Sequence, residues 1–149
     1  SNAKVISAGT VNKDKKLDLQ IICDHSTART TSHQRIDHVA FENGSTTFNG
    51  RIHILEHASG CNAQLKNRSL AMGSETTINA KPELEIYNDD VQCSHGSTIG
   101  QIDETQLFYM RSRGIEQKEA HAILCEGFLR ETISGPLSAS ATSNLIPER

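Results

Sequence analysis

The sequence predicts a mainly β fold: a single-stranded parallel β-helix of about three turns with long strands, followed by a pair of α-helices. Similar short sequences recur roughly every thirty residues between positions 17 and 102, and the recurring segments alternate apolar and polar residues. A period near thirty is typical of a solenoid, and alternation with period two is typical of strands. Aromatic residues make up only 4% of the chain and Trp is absent, which suits narrow stacked strands.

The repeat can be aligned in two ways. Residues 44–51 (GSTTFNGR) recur as residues 73–81 (GSETTINAK) with one insertion, whereas residues 52–54 correspond to 84–86, a longer step. The longer step places Cys61 under Cys93 and predicts a ladder of isoleucines at the strand spacing of about 4.8 Å: Ile22, Ile54 and Ile86. A β-sandwich with accidental similarity is the competing interpretation.

The segment after the strands predicts two helices. Asp103 suits the N-cap of the first helix, and Gln106 follows at a capping-box-like position. This helix should end near Arg113, with Gly114 at C′. The second helix is predicted over 116–133, with one apolar face made by Ala120, Ile123, Leu124 and Phe128. We expect the helix pair to cap the end of the β-helix.

These elements divide the chain into four parts. Residues 1–3 resemble an expression scar. Residues 4–102 form the β-helix core, residues 103–133 form the helical cap and docking region, and residues 134–149 form a Ser-rich tail. The absence of a matching cap before the first strand suggests that earlier turns are missing from this chain.

Composition excludes several functions. The net charge is -3 and the 15 Lys and Arg residues are dispersed, which argues against a nucleic-acid partner. No apolar run approaches the roughly 18–20 residues of a membrane span. The cysteines lie about thirty residues apart without a CxxC pair, which argues against a standard zinc finger: Cys23, Cys61, Cys93 and Cys125. We expect a cytoplasmic protein with free thiols.

Cys93 and His95 are the strongest candidate ligands. They are two residues apart on a predicted strand, so their side chains share one face. A thiolate and an imidazole suit iron or zinc. Two ligands make only half of a site, so a partner would have to supply the others. The alternative is a buried cysteine beside a hydrogen-bonded surface histidine.

A second candidate is a column of polar side chains one repeat apart. If the longer step is constant, it stacks His25, His57 and Asp89 at strand spacing. Such a column could bind a divalent metal. A solvated polar ladder without metal is the alternative.

Residues 81–115 carry a family resemblance, in the wording KPELEIY-DDV-CSHG-T-GQ-DE--LFY-RSRGI. This segment closely resembles the SufB/SufD family, the β-helical components of the SUF machinery for iron–sulfur cluster assembly. The Cys-Ser-His-Gly at positions 93–96 resembles the SufD branch more than the SufB branch. The resemblance therefore suggests a C-terminal fragment of a SufD-like protein.

The resemblance implies a right-handed β-helix and a non-catalytic scaffold. The β-helix would pair with a SufB-like protein, and Cys93 and His95 would share an interfacial cluster or metal site with it. A SufC-like ATPase would dock on the C-terminal helices, at Leu107, Phe108, Tyr109, Arg111, Arg113 and Gly114. No tightly bound cofactor is expected in this chain; an iron–sulfur cluster, iron or zinc would be held transiently in the assembled complex. A homodimer could stand in for the heterodimer.

The chain has no GxxxxGK[ST] phosphate loop, which agrees with ATP chemistry residing in the partner. The alternative function is a β-helical polysaccharide lyase or hydrolase. Such enzymes gather carboxylates in a groove. The densest acidic group here comprises Glu83, Glu85, Asp89 and Asp90. The helix pair has no role in that alternative.

Overall fold

The computed structural model describes residues 1–73 and 75–133. Its elements in chain order are β1 (Asn2–Val11), β2 (Lys16–His25), β3 (Thr31–Phe41), β4 (Ser45–Ile54), β5 (Cys61–Met72), β6 (Thr77–Ile86), β7 (Val91–Gln101), α1 (Glu104–Ser112) and α2 (Gln117–Ile133). The predicted tail at 134–149 lies outside the described residues.

The strands form two parallel sheets that face each other across a narrow interior. Sheet A has the order β1-β3-β5-β7, and sheet B has the order β2-β4-β6. Each turn of the chain therefore adds one strand to each sheet, and the chain coils as a solenoid of about three turns. The predicted parallel β-helix, followed by two helices, is confirmed.

The interior between the two sheets is filled mainly by apolar side chains of alternate strand residues. The central strand β4 alternates strictly between half-buried and fully buried positions along its length. Its inward side chains pack with those of β3 and β5 in one cluster of Ile36, Phe48, Ile52, Ile54, Ala58, Cys61, Ala63 and Leu65. At Gly50 a Cβ atom would lie 2.5 Å from the Phe48 ring and 2.7 Å from Leu65, so only glycine fits there.

The strand register is partly as predicted. Ile54 lies opposite Ile86, so that part of the isoleucine ladder is confirmed. The prediction for Ile22 is wrong, because Ile22 lies opposite Arg51 and is 49% exposed on the outer face of sheet B. The match between residues 44–51 and 73–81 is also out of register, because Ser45 lies opposite Thr77.

The physical reason is that the corners of the solenoid differ in length. Lys16 lies opposite Ser45, and Ser45 lies opposite Thr77, so the step from β4 to β6 is longer than the step from β2 to β4. Because side chains alternate along a strand, an even error in the step keeps a residue on its face, whereas an odd error moves it to the other face. Cys61 lies opposite Val91, an even number of residues from the predicted Cys93, so it stays on the predicted face. Ile22 lies opposite Arg51, an odd number of residues from the predicted Ile54, so it lies on the other face.

Local signals define α1 at both ends. Asp103 is the N-cap, and its side chain accepts a hydrogen bond from the Thr105 amide at 2.9 Å. The helix ends at Ser112, and Gly114 adopts a φ of +89°. The Gly114 amide donates to the Arg111 carbonyl and the next amide donates to the Met110 carbonyl, the two bonds of a Schellman motif.

The helix pair does not cap the end of the solenoid, so that prediction is wrong. α2 packs on the outer face of sheet A, against β1 and β3. Its buried apolar residues join Val39 and Met72 in a second cluster: Cys125, Leu129 and Ile133. Ile123, which the sequence placed on the packed face, is 45% exposed.

A cluster of charges around one buried carboxylate joins α2 to sheet A. Asp37 on β3 is fully buried and accepts hydrogen bonds from Arg68 and from the Thr132 hydroxyl. Arg35 approaches the same carboxylate at 3.4 Å. Glu131 on α2 pairs with Arg35 at 3.2 Å and with Arg68 at 2.5 Å. We call this set, Arg35, Asp37, Arg68, Glu131 and Thr132, the flank cluster.

Candidate functional site

Cys93 and His95 lie on β7, the last strand of sheet A, and point to the same side. Cys93 lies opposite Ala63 and His95 lies opposite Leu65, and both of those residues are buried in the interior. The two candidate ligands therefore face the interior side of the last turn. Because sheet A ends at β7, Cys93 is only half-buried and His95 is exposed.

The environment of Cys93 favours the neutral thiol. Burial raises its pKa, a hydrogen bond to the Ala63 backbone opposes that shift, and the nearby Cys61 thiol adds to it. Cys61 does not stack beneath Cys93 as the constant step predicted, because it lies opposite Val91. A thiol with a raised pKa stays protonated at neutral pH and must lose its proton when it binds a metal.

Across the described ranges 1–73 and 75–133, no further strand covers the end of the solenoid around these residues. Among the described strands, β6 and β7 each have one neighbour, so each offers an edge of unpaired backbone groups. Apolar side chains surround this edge: Ile86 is 40% exposed, Tyr87 62% and Ile99 54%. We call the edges of β6 and β7, with these side chains, the open end. It combines apolar surface, strand edges and two candidate ligands, which suits contact with another β structure.

The predicted column of His25, His57 and Asp89 is wrong in its register. His25 lies opposite Ile54, because the step from β2 to β4 is shorter than the sequence predicted. His25 is buried, with Nδ1 2.6 Å from the Thr30 hydroxyl and Nε2 2.8 Å from the Ser32 hydroxyl. Burial lowers its pKa, against an opposing contribution from Asp24. Both ring nitrogens therefore belong to an interior hydrogen-bond network.

His57 and Asp89 lie on the surface. The His57 Nε2 atom is 2.9 Å from the Ser26 carbonyl oxygen. Within residues 1–73 and 75–133, no three His, Cys, Asp or Glu side chains are grouped to hold a metal ion. A metal site that used Cys93 and His95 would therefore need further ligands from outside these residues.

The acidic residues of the alternative enzyme are paired separately. Glu83 lies 2.9 Å from Lys81 and Glu85 lies 3.5 Å from Arg51, on the outer face of sheet B. Asp90 accepts a hydrogen bond from Ser59 at a corner between strands. These contacts place the carboxylates on different surfaces and do not favour a shared catalytic groove.

The predicted docking residues on α1 form a mostly exposed surface. Phe108 is 72% exposed and Tyr109 is 59% exposed, whereas Leu107 is buried. The guanidinium of Arg113 lies 5.2 Å from the centre of the Tyr109 ring. An open, mainly apolar groove runs between the two helices, lined by Thr105, Gln106, Tyr109, Met110 and Leu124. In the part of the chain that the structure describes, no helix is long and apolar enough to cross a membrane.

Sequence reasoning missed Asp37 and the cluster around it. The available signal was an aspartate inside the segment IDHVA of a strand that is otherwise largely buried. An acidic residue at such a position needs a cationic or hydrogen-bonding partner. Two of its partners, Arg68 on another strand and Thr132 on α2, lie far along the chain, so spacing could not identify them.

The fold defines a class: a parallel β-solenoid that is followed by two α-helices and ends in exposed strand edges. The model of the family described as "SUF system FeS cluster assembly, SufBD core domain" matches residues 1–128. The chain therefore belongs to the SufBD core-domain family, which confirms the resemblance.

Three curated relatives support this assignment. The chain is 37% identical to SufD of Escherichia coli K12 over 131 residues, which is 88% of this chain and 31% of the relative. It is 36% identical to SufD of Bacillus subtilis over 93 residues (62% and 21%), and 27% identical to SufB of that organism over 124 residues (83% and 27%). The chain thus spans about a third or less of the length of these relatives.

Proposed function

We propose that this chain is a non-catalytic scaffold component of iron–sulfur cluster assembly, and that it works in the cytosol with two protein partners. The observation that carries the proposal is the placement of Cys93 and His95 side by side on an exposed edge strand. A SufB-like partner would pair with the open end and supply the remaining ligands. The nascent cluster, or iron, is the cargo of this shared site.

In this proposal the two side chains act as ligands to the metal. The Cys93 thiol gives up its proton and binds as thiolate, and His95 binds through a neutral imidazole nitrogen. Pairing at the open end also buries the exposed apolar side chains around the site.

The test is cluster assembly in the complex with SufB-like and SufC-like proteins. His95→Ala should reduce the yield of assembled cluster by about tenfold or more, as expected when one metal ligand is lost. Ser94→Ala is the matched control, because Ser94 is exposed on the same strand but faces the other way. Equal yields from His95→Ala and the parent would remove His95 from the site.

The helix pair would bind a SufC-like ATPase. Phe108 and Tyr109 are exposed aromatic residues beside an apolar groove, the kind of surface that makes anchors in interfaces. Phe108→Ala should weaken ATPase binding by at least about tenfold in a calorimetric titration. Ile22→Ala is the control, because Ile22 is an exposed apolar residue on the distant outer face of sheet B. Failure of the intact, folded chain to bind the ATPase would refute this part of the proposal.

A further inference from the structure

Asn67 is a polar side chain in the middle of the interior. It lies on β5 and is 1% exposed, between Ile36 on β3 and Ser97 on β7, its two register partners. Its Nδ2 donates to the Ile36 carbonyl oxygen at 3.2 Å, and its Oδ1 accepts from the Ser97 hydroxyl at 3.1 Å. Because a carbonyl can only accept, chemistry determines the orientation of the amide. One side chain therefore joins three successive turns at one level.

The strand β7 has few other features that define its register. Its inward-facing residues include two hydrocarbon side chains, Val91 and Ile99, and Ile99 is 54% exposed. The remaining inward positions are a thiol or polar: Cys93, His95, Ser97 and Gln101. Register is weakly specified where the apolar pattern of an edge strand is weak. A polar pair that includes one buried side chain can supply the missing specificity, as a buried polar residue does in coiled coils.

A slip of β7 by two residues would keep every side chain on its face and still move the candidate ligands. In one direction Ile99 would lie over Asn67, whose Oδ1 would then lose its donor inside the protein, which is costly. In the other direction the larger ring of His95 would replace the Ser97 hydroxyl. Cys93 would then lie opposite Leu65 and no longer opposite Ala63.

We propose that Asn67 is a positioning residue that, with Ser97, fixes the register of β7 and so places Cys93 and His95 for their shared site. The role of those two ligands rests on the function proposed above. The register itself can be measured without cargo or partner, because Cys93 reports where β7 lies.

The test measures alkylation of Cys93 in the folded chain by site-resolved mass spectrometry, alongside thermal unfolding. Asn67→Leu with Ser97→Ala removes the Asn67–Ser97 pair together, so neither member is left without the other and the unfolding midpoint should change little. The alkylation rate of the half-buried Cys93 should nevertheless rise about tenfold. This is the change in the population of slipped states that the loss of one buried hydrogen bond would cause. Cys23, half-buried on β2 in the other sheet, is the internal standard and should not change.

Three further variants make the result specific. Ser97→Ala alone should accelerate Cys93 alkylation, and Ser97→Thr, which keeps the hydroxyl, should retain the parent rate. Ser94→Ala makes the same chemical change at an outward position and should also retain it. Rates for Cys93 within about twofold of the parent in both Ser97→Ala and the double variant would overturn the proposal. A faster rate combined with normal cluster assembly would uphold the register role and count against the proposed site instead.

Discussion

The flank of this solenoid, where α2 packs, is covered, whereas the open end is exposed. On the flank, α2 covers the outer face of sheet A, and two carboxylates and two guanidiniums are neutralised against each other between helix and sheet. At the open end, two strand edges, several apolar side chains and a thiol–imidazole pair are left uncovered. Both regions include strands of sheet A.

The difference separates what holds the fold from what is available to a partner. A buried charge cluster is sensitive to the loss of one member, because the remaining charges are then left without compensation. An exposed strand edge is insensitive to side-chain loss but prone to pair with another strand. We therefore expect substitutions on the flank to change stability and substitutions at the open end to change assembly.

The largest expected effect is at Asp37. Asp37→Asn removes the negative charge that Arg35 and Arg68 share, and should lower the free energy of unfolding by about 3–5 kcal/mol. Amide hydrogen exchange should show α2 released before the strands. Glu131→Gln is the control, because that carboxylate is 58% exposed and should matter less. A loss below about 1 kcal/mol for Asp37→Asn would mean that apolar packing alone holds the helix.

The interior and the flank should lose stability in different pH ranges. Burial lowers the pKa of His25 and His38, so the native state favours their neutral forms. The stability that each histidine contributes is fully present above pH 6.5, the pKa of the unfolded state, and declines as the pH falls toward the lowered native pKa. The decline in the free energy of unfolding is at most about 1.4 kcal/mol per pH unit for each histidine.

The flank should respond at lower pH. Hydrogen bonds from Arg68 and Arg35 lower the pKa of Glu131 below its ordinary value of 4.5, so its contribution is lost only as pH falls below that value. Chemical unfolding from about neutral pH down to 4.5 should therefore show a decline that His38→Gln makes shallower. A free energy of unfolding that is constant across this range would contradict the histidine contribution.

The smallest expected stability effect is at His95. Because the side chain is exposed at the end of the sheet, His95→Ala should change the free energy of unfolding by less than about 0.5 kcal/mol. Equilibrium unfolding in urea would measure this, with Ser94→Ala measured in parallel. A loss above about 1 kcal/mol would show that His95 supports the fold and would blur the distinction between the two regions.

Sequence alone predicted the features that depend on local physics. Strand alternation placed Cys93 and His95 on one face, and the structure confirms that they share the inner side of β7. The N-cap at Asp103 and the turn at Gly114 were also predicted correctly, because both signals lie within a few residues of the helix ends.

The features that depend on distant partners were not predictable in this way. The alternation pattern could not show that the step from β2 to β4 is shorter than the step from β4 to β6, so His25 was placed under His57 and not under Ile54. The packed face of α2 was predicted only in part. Ala120 is buried as expected, but Cys125 and Leu129, which meet residues on β3 and β5, were missed, as was the contact of Thr132 with the carboxylate of Asp37. The roles of Cys93, His95 and the α1 surface remain predictions for the experiments above.

The unequal corners of the solenoid have a consequence for how this protein can change. Register partners in successive turns are separated by different lengths of chain, yet the inward side chains still meet across the interior. Length variation is therefore absorbed where strands join, and the strands themselves are spared. We therefore expect the corners, and not the strands, to accept an inserted peptide such as an epitope tag with little loss of stability.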